Sequence, residues 1–321
     1  MWEKFTILFA GVAGALLLPF IITMGMSGVR ENAMLSLENS DSGKTVTVTA
    51  LGAPQQLDME QFLVQVLAAQ ISPDREREAL KCQAVIARTM VKKAMEAVSV
   101  ADSISLGIEY MTEEECKEQW GQKRYDKYRK RLEQAVIDTY GQTLQYDGAY
   151  IDAMYHCASM GNTISALEAY GKEIPYLQQA ACSRDVETPE YMQVEFFTWE
   201  QMTAVLNTLD AQGQLAGFSL EQTEALPLTE RLSVTAATEH GYVQTVSVGG
   251  VAVNGDIFAQ AAGLQSHVYY IEVVEEQYRI ICLGKGHGIG LSQYSANVMA
   301  AQGQSYEQIL EYFYPGSVLV K

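Results

Sequence analysis

The stretch Gly284 to Gly316, GKGHGIGLSQYSANVMAAQGQSYEQILEYFYPG, sets four glycines on alternate positions around His287. Ser292, Gln293 and Tyr294 follow, then helical sequence and a Tyr-Pro-Gly stop. Glycines at 284, 286, 288 and 290 leave one backbone edge nearly bare, so another strand or a ligand can approach it closely. His287 is the residue that would carry chemistry from that bare run. A nucleotide-binding loop also spaces glycines this way, but the strand before this run and the helix after it lack the rest of a βαβ unit and its acidic partner.

Upstream of this segment, KTVTVTAL at Lys44 to Leu51 alternates threonine with valine and reads as a strand. Asp58 to Ala69 and Asp74 to Met95 read as helices, the second opened by Ser72-Pro73-Asp74. Glu113 to Asp138 reads as one long charged helix, and Gln142 to Cys157 as two short strands around Asp147-Gly148. After a helix at Trp199 to Leu209, strands are expected at 231–237, 242–248, 269–274 and 278–283, with two helices closing the chain. Helices first and hairpins later suggest an α+β fold with antiparallel pairing. The expected body covers 44–321, with lobes at 55–198 and 199–321 and a groove between them, where sites commonly lie.

A chain of 321 residues with 48% apolar content can bury a substantial core. Its net charge of −17 argues against nucleic acid, because phosphate binding needs a basic surface. Phe5 to Met24 is nearly unbroken apolar sequence, and about 20 helical residues at roughly 1.5 Å each cover a bilayer core. The run is longer than a usual signal-peptide core and no clean cleavage site follows it, so it is read as a transmembrane helix. Residues 1–26 are then a cytoplasmic tail and membrane anchor and 27–43 a polar tether. Lys4 before the span orients a single-pass membrane protein with an extracytoplasmic C-terminal body.

Three blocks together carry a family resemblance. The Gly284 to Gly316 segment resembles the C-terminal signature of the stage II sporulation protein D family, the SpoIID/LytB domain. EALKCQAVIART at Glu78 to Thr89 looks like its central helix, and YHCASMGNT at Tyr155 to Thr163 resembles its Tyr-His-Ser-x-Ser-Gly-Gly-x-Thr turn. The resemblance implies a lytic transglycosylase that cuts peptidoglycan glycan strands during spore engulfment, alongside engulfment membrane proteins and with no cofactor required. In the family pattern the catalytic acid stands eight positions before the glutamate of the central helix, which here is Gln70. That chemistry needs a carboxyl that protonates the glycosidic oxygen and then, as carboxylate, takes the proton of the sugar's 6-hydroxyl. A glutamine amide holds a sugar oxygen but has no proton to transfer near neutral pH. The competing reading is therefore a non-catalytic glycan-binding or scaffolding protein. Ala259, where the family usually has arginine, departs in the same direction.

The resemblance puts Lys81 and Arg88, seven apart on one helical face, at the groove; the alternative is a structural ion pair. It assigns sugar contacts to His287, Ser292, Gln293 and Tyr294, and to Ser159 and Thr163 of the turn. Glu76 and Glu78 read as first-turn carboxylates. The basic run Lys123 to Arg131 reads as the solvated face of an amphipathic helix, with Tyr125, Tyr128, Leu132 and Val136 on its apolar stripe. The five cysteines show no disulfide framework. Some relatives bind zinc near the turn, and His156, Cys157 and Cys182 are the donors for such a site; a Cys157–Cys182 disulfide and unlinked thiols are the alternatives.

Overall fold

The computed structural model describes residues 37–50 and 53–321. Strand β1 (Thr45–Ala50) follows its sequence alternation, burying Val46 and Val48 completely while threonines face outward. It pairs antiparallel with β2 (Ala53–Asp58), Thr45 opposite Asp58, and parallel with β3 (Val100–Asp102). Asp58 ends β2 and caps helix α1 (Met59–Gln70) by accepting the Glu60 N–H. Helix α2 (Arg77–Ala94) comes next. The single helix expected over 113–138 is broken at Gly121 into α3 (Glu113–Trp120) and α4 (Gln122–Asp138). Gly121 has φ +76°, which a helix interior forbids, and the kink lets Trp120 pack on both Tyr125 and Tyr128.

Helix α2 is the axis of the molecule because it is apolar on two sides. Leu80, Ala84, Ala87 and Val91 enter a core with Phe62, Leu63 and Val66 of α1 and Leu132 and Val136 of α4. On its other side Cys82, Val85 and Ile86 enter a second core with Leu144, Ile151, Ile289, Leu291, Leu310 and Phe313. The first strands of this second region, β4 (Thr143–Tyr146) and β5 (Ala149–Tyr150), join through the expected Asp147-Gly148 turn, both residues at positive φ. Strand β6 (Tyr155–His156) follows. A third core lies under the antiparallel sheet of β7 (Met192–Phe197), β11 (Tyr269–Val274) and β12 (Gln277–Leu283). It includes the meander β8 (Leu232–Ala237), β9 (Val243–Val248) and β10 (Val251–Asn254) and the helices α5 (Trp199–Ala211) and α6 (Gly255–Ala261).

The C-terminal segment departs from the expected two-lobe division. Strand β13 (Leu291–Ser292) pairs parallel with β6, and helices α7 (Gln293–Ala301) and α8 (Tyr306–Phe313) pack on α2. Strand β14 (Val318–Val320) then pairs with β4. Residues 291–320 therefore complete the second core rather than a lobe with 199–283. The body is mixed α+β with mainly antiparallel sheets, and two of its pairings are parallel.

The expected N-terminal transmembrane helix requires correction. Phe5 to Met24 lies outside the described residues, and among the described residues no helix is long and apolar enough to cross a membrane. The 18-residue α2 is fully enclosed at many positions but carries Arg77, Lys81, Arg88, Lys92 and Lys93, charges that a bilayer core would not accept. A single-pass, membrane-anchored protein is accordingly not supported.

Candidate functional site

The glycine run lies directly against residues 154–164. Lys285 donates its N–H to Ala158 O at 2.7 Å and accepts from Cys157 N at 3.1 Å, and Ile164 N donates to Gly288 O at 2.7 Å. Gly286 has φ +101°, and a Cβ there would stand 2.8 Å from the His156 Cβ. At Gly290, φ +72°, it would overlap the Met154 carbonyl oxygen. Two of the three sequence blocks are thus one structural unit, and what approaches the bare backbone is this segment of the same chain. Gly290→Ala is expected to lower stability by about 2–3 kcal/mol, combining αL strain with a backbone clash. Urea unfolding measures it; a loss within about 0.5 kcal/mol would mean the contact is loose.

Two histidines hold the peptide groups of Ile289 at the centre of this unit. His156 Nδ1 is 3.2 Å from Ile289 O, so the proton sits on Nδ1; His287 Nδ1 accepts the Ile289 N–H at 3.1 Å, leaving its proton on Nε2. The rings are 5.9 Å apart. Burial lowers His156 to about 4, and burial, with the neighbouring His156 next, lowers His287 to about 3. Both are neutral at pH 7. His287 also lines a hollow with Met90, Lys93, Ile108 and Tyr155.

The Ser-Gln-Tyr cluster divides its work. Ser292 caps α7 and donates to Asp185 Oδ1 at 2.9 Å, joined there by Ser295 at 2.7 Å. Ser159 donates to Asp185 Oδ2 from both Oγ, at 2.7 Å, and backbone N, at 2.6 Å. Asp185 has no exposed surface, so Ser159 and Ser292 act as staples on a buried carboxylate. Gln293, next in the chain, reaches the end of α1: its Nε2 donates to Gln70 O at 2.8 Å and Gln83 Oε1 at 3.1 Å. Gln83 Nε2 in turn donates to Gln70 Oε1 at 2.9 Å. Tyr294 lies beneath Arg75, whose guanidinium carbon is 5.7 Å from the ring centroid. Gln70, Gln83 and Gln293 therefore meet, joining the end of α1, the central helix and the C-terminal segment, and Tyr294 is the next residue in the chain.

The chain is also similar to known proteins. The family model described as Stage II sporulation protein matches residues 48–146. Over 277 residues, 84% of this chain and 76% of the relative, the chain is 28% identical to Stage II sporulation protein D of Bacillus subtilis (strain 168). The match to Stage II sporulation protein D of Bacillus amyloliquefaciens is 28% over 289 residues, 88% of this chain and 79% of that protein. The chain is similar to stage II sporulation protein D over most of its length, and its residues 48–146 match that family's model. A protein named amidase enhancer, from Bacillus subtilis (strain 168), is also similar, 24% identical over 229 residues, which is 58% of this chain and 32% of that relative.

The remaining expected residues have other partners than Gln70. Lys81 is paired with Glu78 at 2.6 Å, lies 4.0 Å from Asp138 and sits over the Tyr306 ring. Arg88 is buried with Glu60. The two cations do share a face of α2, but that face packs on the end of α4. Thr163 accepts the Ala180 N–H at 2.7 Å, pinning a loop. Ala259 is buried in the third core, which leaves no room for a longer side chain.

The expected zinc donors do not form a site. Among the described residues no group of three or more His, Cys, Asp or Glu side chains could hold a metal ion. Burial raises Cys157 and pushes Cys182 up to about 12, disfavouring the thiolates that zinc requires. His156 Nε2 is buried without a hydrogen-bond partner among the described residues, but the thiols do not converge on it. All five cysteines are unpaired, so the Cys157–Cys182 disulfide is absent. Sequence reasoning missed Gln83 and Asp185. The first lies in the quoted central helix; the second is one aspartate in a loop with no pattern to flag it.

Proposed function

We infer that this protein holds peptidoglycan glycan strands at Gln70, Gln293 and Tyr294, as a sporulation protein acting in engulfment. Residue 70 there contributes a hydrogen bond in place of proton transfer. The observation that carries this reading is the amide triangle. Gln83 donates to Gln70 Oε1, which fixes the amide's orientation and leaves Gln70 Nε2 to donate to a sugar oxygen. Tyr294, next to Gln293 in the chain, offers a flat face suited to a pyranose ring. A lytic transglycosylase would need a carboxyl at this point to give its proton to the leaving oxygen and then remove the 6-hydroxyl proton; an amide does neither.

The test is the full chain with denuded glycan strands, assayed for binding and for anhydro-muropeptide release. The unmodified protein is expected to bind and release little product, and Gln70→Glu to raise release about 100-fold, the scale of general acid–base catalysis. Substantial cleavage by the unmodified chain with no gain from the substitution overturns the assignment of position 70; absence of binding overturns the glycan reading itself. A second reading, in which the protein presents glycan to a separate hydrolase of the engulfment machinery, is favoured by the similarity to a protein named amidase enhancer.

A further inference from the structure

Helix α1 carries a second concave surface on a face the glycan reading does not use. A cleft of about 290 Å³ opens between α1 and the α3–α4 pair. Its apolar walls are Leu57, Val64, Ala68, Trp120 and Leu132. This volume is at the small end of ligand pockets, about 300 Å³ and upward, and takes one large side chain rather than a folded surface. Trp120 and Leu132 are almost fully buried around it, and Trp120 is packed on Tyr125 and Tyr128 at the Gly121 kink.

Two further features specify an occupant. Gln65 lines the cleft, and its Oε1 is buried with no hydrogen-bond partner among the described residues. An orphaned acceptor costs about 1–3 kcal/mol, a penalty that an arriving N–H donor would remove. The rim is acidic on balance: Glu113, Glu114 and Glu133 line it, with Arg129 bonded to Glu133 at 2.8 Å and Lys117 paired with Glu113, so Glu114 is the carboxylate left to a partner's cation. A chain of net charge −17 reinforces that field at long range.

We propose that the cleft between α1 and the α3–α4 pair binds a basic peptide segment of a partner protein, which inserts one aromatic side chain bearing an N–H donor, tryptophan in type. The apolar walls take the ring, the Gln65 amide turns its buried Oε1 onto the N–H, and Glu114 with the acidic surround attracts a flanking lysine or arginine. One buried aromatic anchor with a charged surround is the common form of an interface hot spot. The cleft sits on the helix that ends at Gln70, so a partner docked here is held next to the candidate glycan surface.

The experiment titrates the full chain with the peptide Ac-Lys-Trp-Lys-NH2 carrying fluorotryptophan, followed by fluorine NMR. Ac-Glu-Trp-Glu-NH2 and Ac-Lys-Leu-Lys-NH2 serve as comparison peptides. The basic tryptophan peptide should bind about ten-fold more tightly than either, and the margin over the acidic peptide should shrink with added salt. Gln65→Leu should weaken binding about five- to ten-fold while raising the melting temperature, because it removes the orphaned acceptor from the free protein. Val64→Trp, which fills the cleft, should abolish binding with the fold retained. Equal binding of the three peptides, absence of binding, or binding unchanged in Gln65→Leu would each overturn the proposal. A merely structural Gln65 would not produce opposite changes in stability and affinity.

Discussion

Arg88→Met is expected to cost about 3–5 kcal/mol of folding stability, because it strands a buried carboxylate. Arg88 has no exposed surface and Glu60 is 1% exposed. The guanidinium grips Glu60 through Nε, 2.8 Å from Oε1, and through Nη2, 2.7 Å from Oε2. Its remaining hydrogens go to Thr139 Oγ1 and Gln142 O, each at 3.2 Å, and to Val136 O at 3.1 Å. One side chain thereby ties α1 to α2 and closes carbonyls at the C-terminal end of α4, where a cation is also favoured by the helix dipole. Glu60→Leu combined with Arg88→Met should recover most of the loss, since the unpaired charge, rather than the missing attraction, dominates the penalty. Urea unfolding of the two single variants and the double variant measures the cycle. A loss below about 1 kcal/mol in Arg88→Met would mean the carboxylate finds water or another cation. Glycan binding separates this structural role from the site role implied by the family resemblance: the double variant should bind as the unmodified chain does.

That pair also marks where sequence reading stops. Local patterns were legible: the Thr-Val alternation of β1, the Asp147-Gly148 turn, and the closing helix that stops at Phe313, before Tyr314-Pro315-Gly316. The bare backbone of the glycine run announced a close approach, and the 154–164 segment makes it. The shared face of Lys81 and Arg88 was also readable from their spacing, but not what that face meets. Glu60 is 28 positions from Arg88, and no periodicity connects them. The same limit applies to the parallel pairing of β6 with β13, to Asp185 beneath three serines, and to Gln83 within the amide triangle. Each depends on segments brought together from distant parts of the chain. Position 70 was legible because the family pattern counts it from Glu78, yet its surroundings of amides were not.

Stability is expected to fall steeply as pH drops from about 6.5 to 5, by about 2 kcal/mol for each of His156 and His287. Both folded-state values lie below the ordinary 6.5, about 4 for His156 and about 3 for His287, chiefly through burial. In this window the unfolded chain binds protons that the folded chain refuses, so the stabilisation is complete above about 6.5 and is lost as pH falls toward the folded values. Ordinary carboxylates remain ionised down to about 5, which keeps their titration out of the slope. His240 and His267 sit beside Glu168 and Asp256, so the informative comparison is the unmodified chain against His156→Gln. Glutamine keeps an N–H for Ile289 O but takes up no proton, and it should flatten the stability–pH curve by about one proton's slope, roughly 1.4 kcal/mol per pH unit. Urea midpoints at intervals from pH 7.5 to 5 supply both curves. Flat stability across that range would mean the rings are protonated in the fold, and the neutral clasp on Ile289, with the strand-to-glycine-run junction it secures, would have to be abandoned.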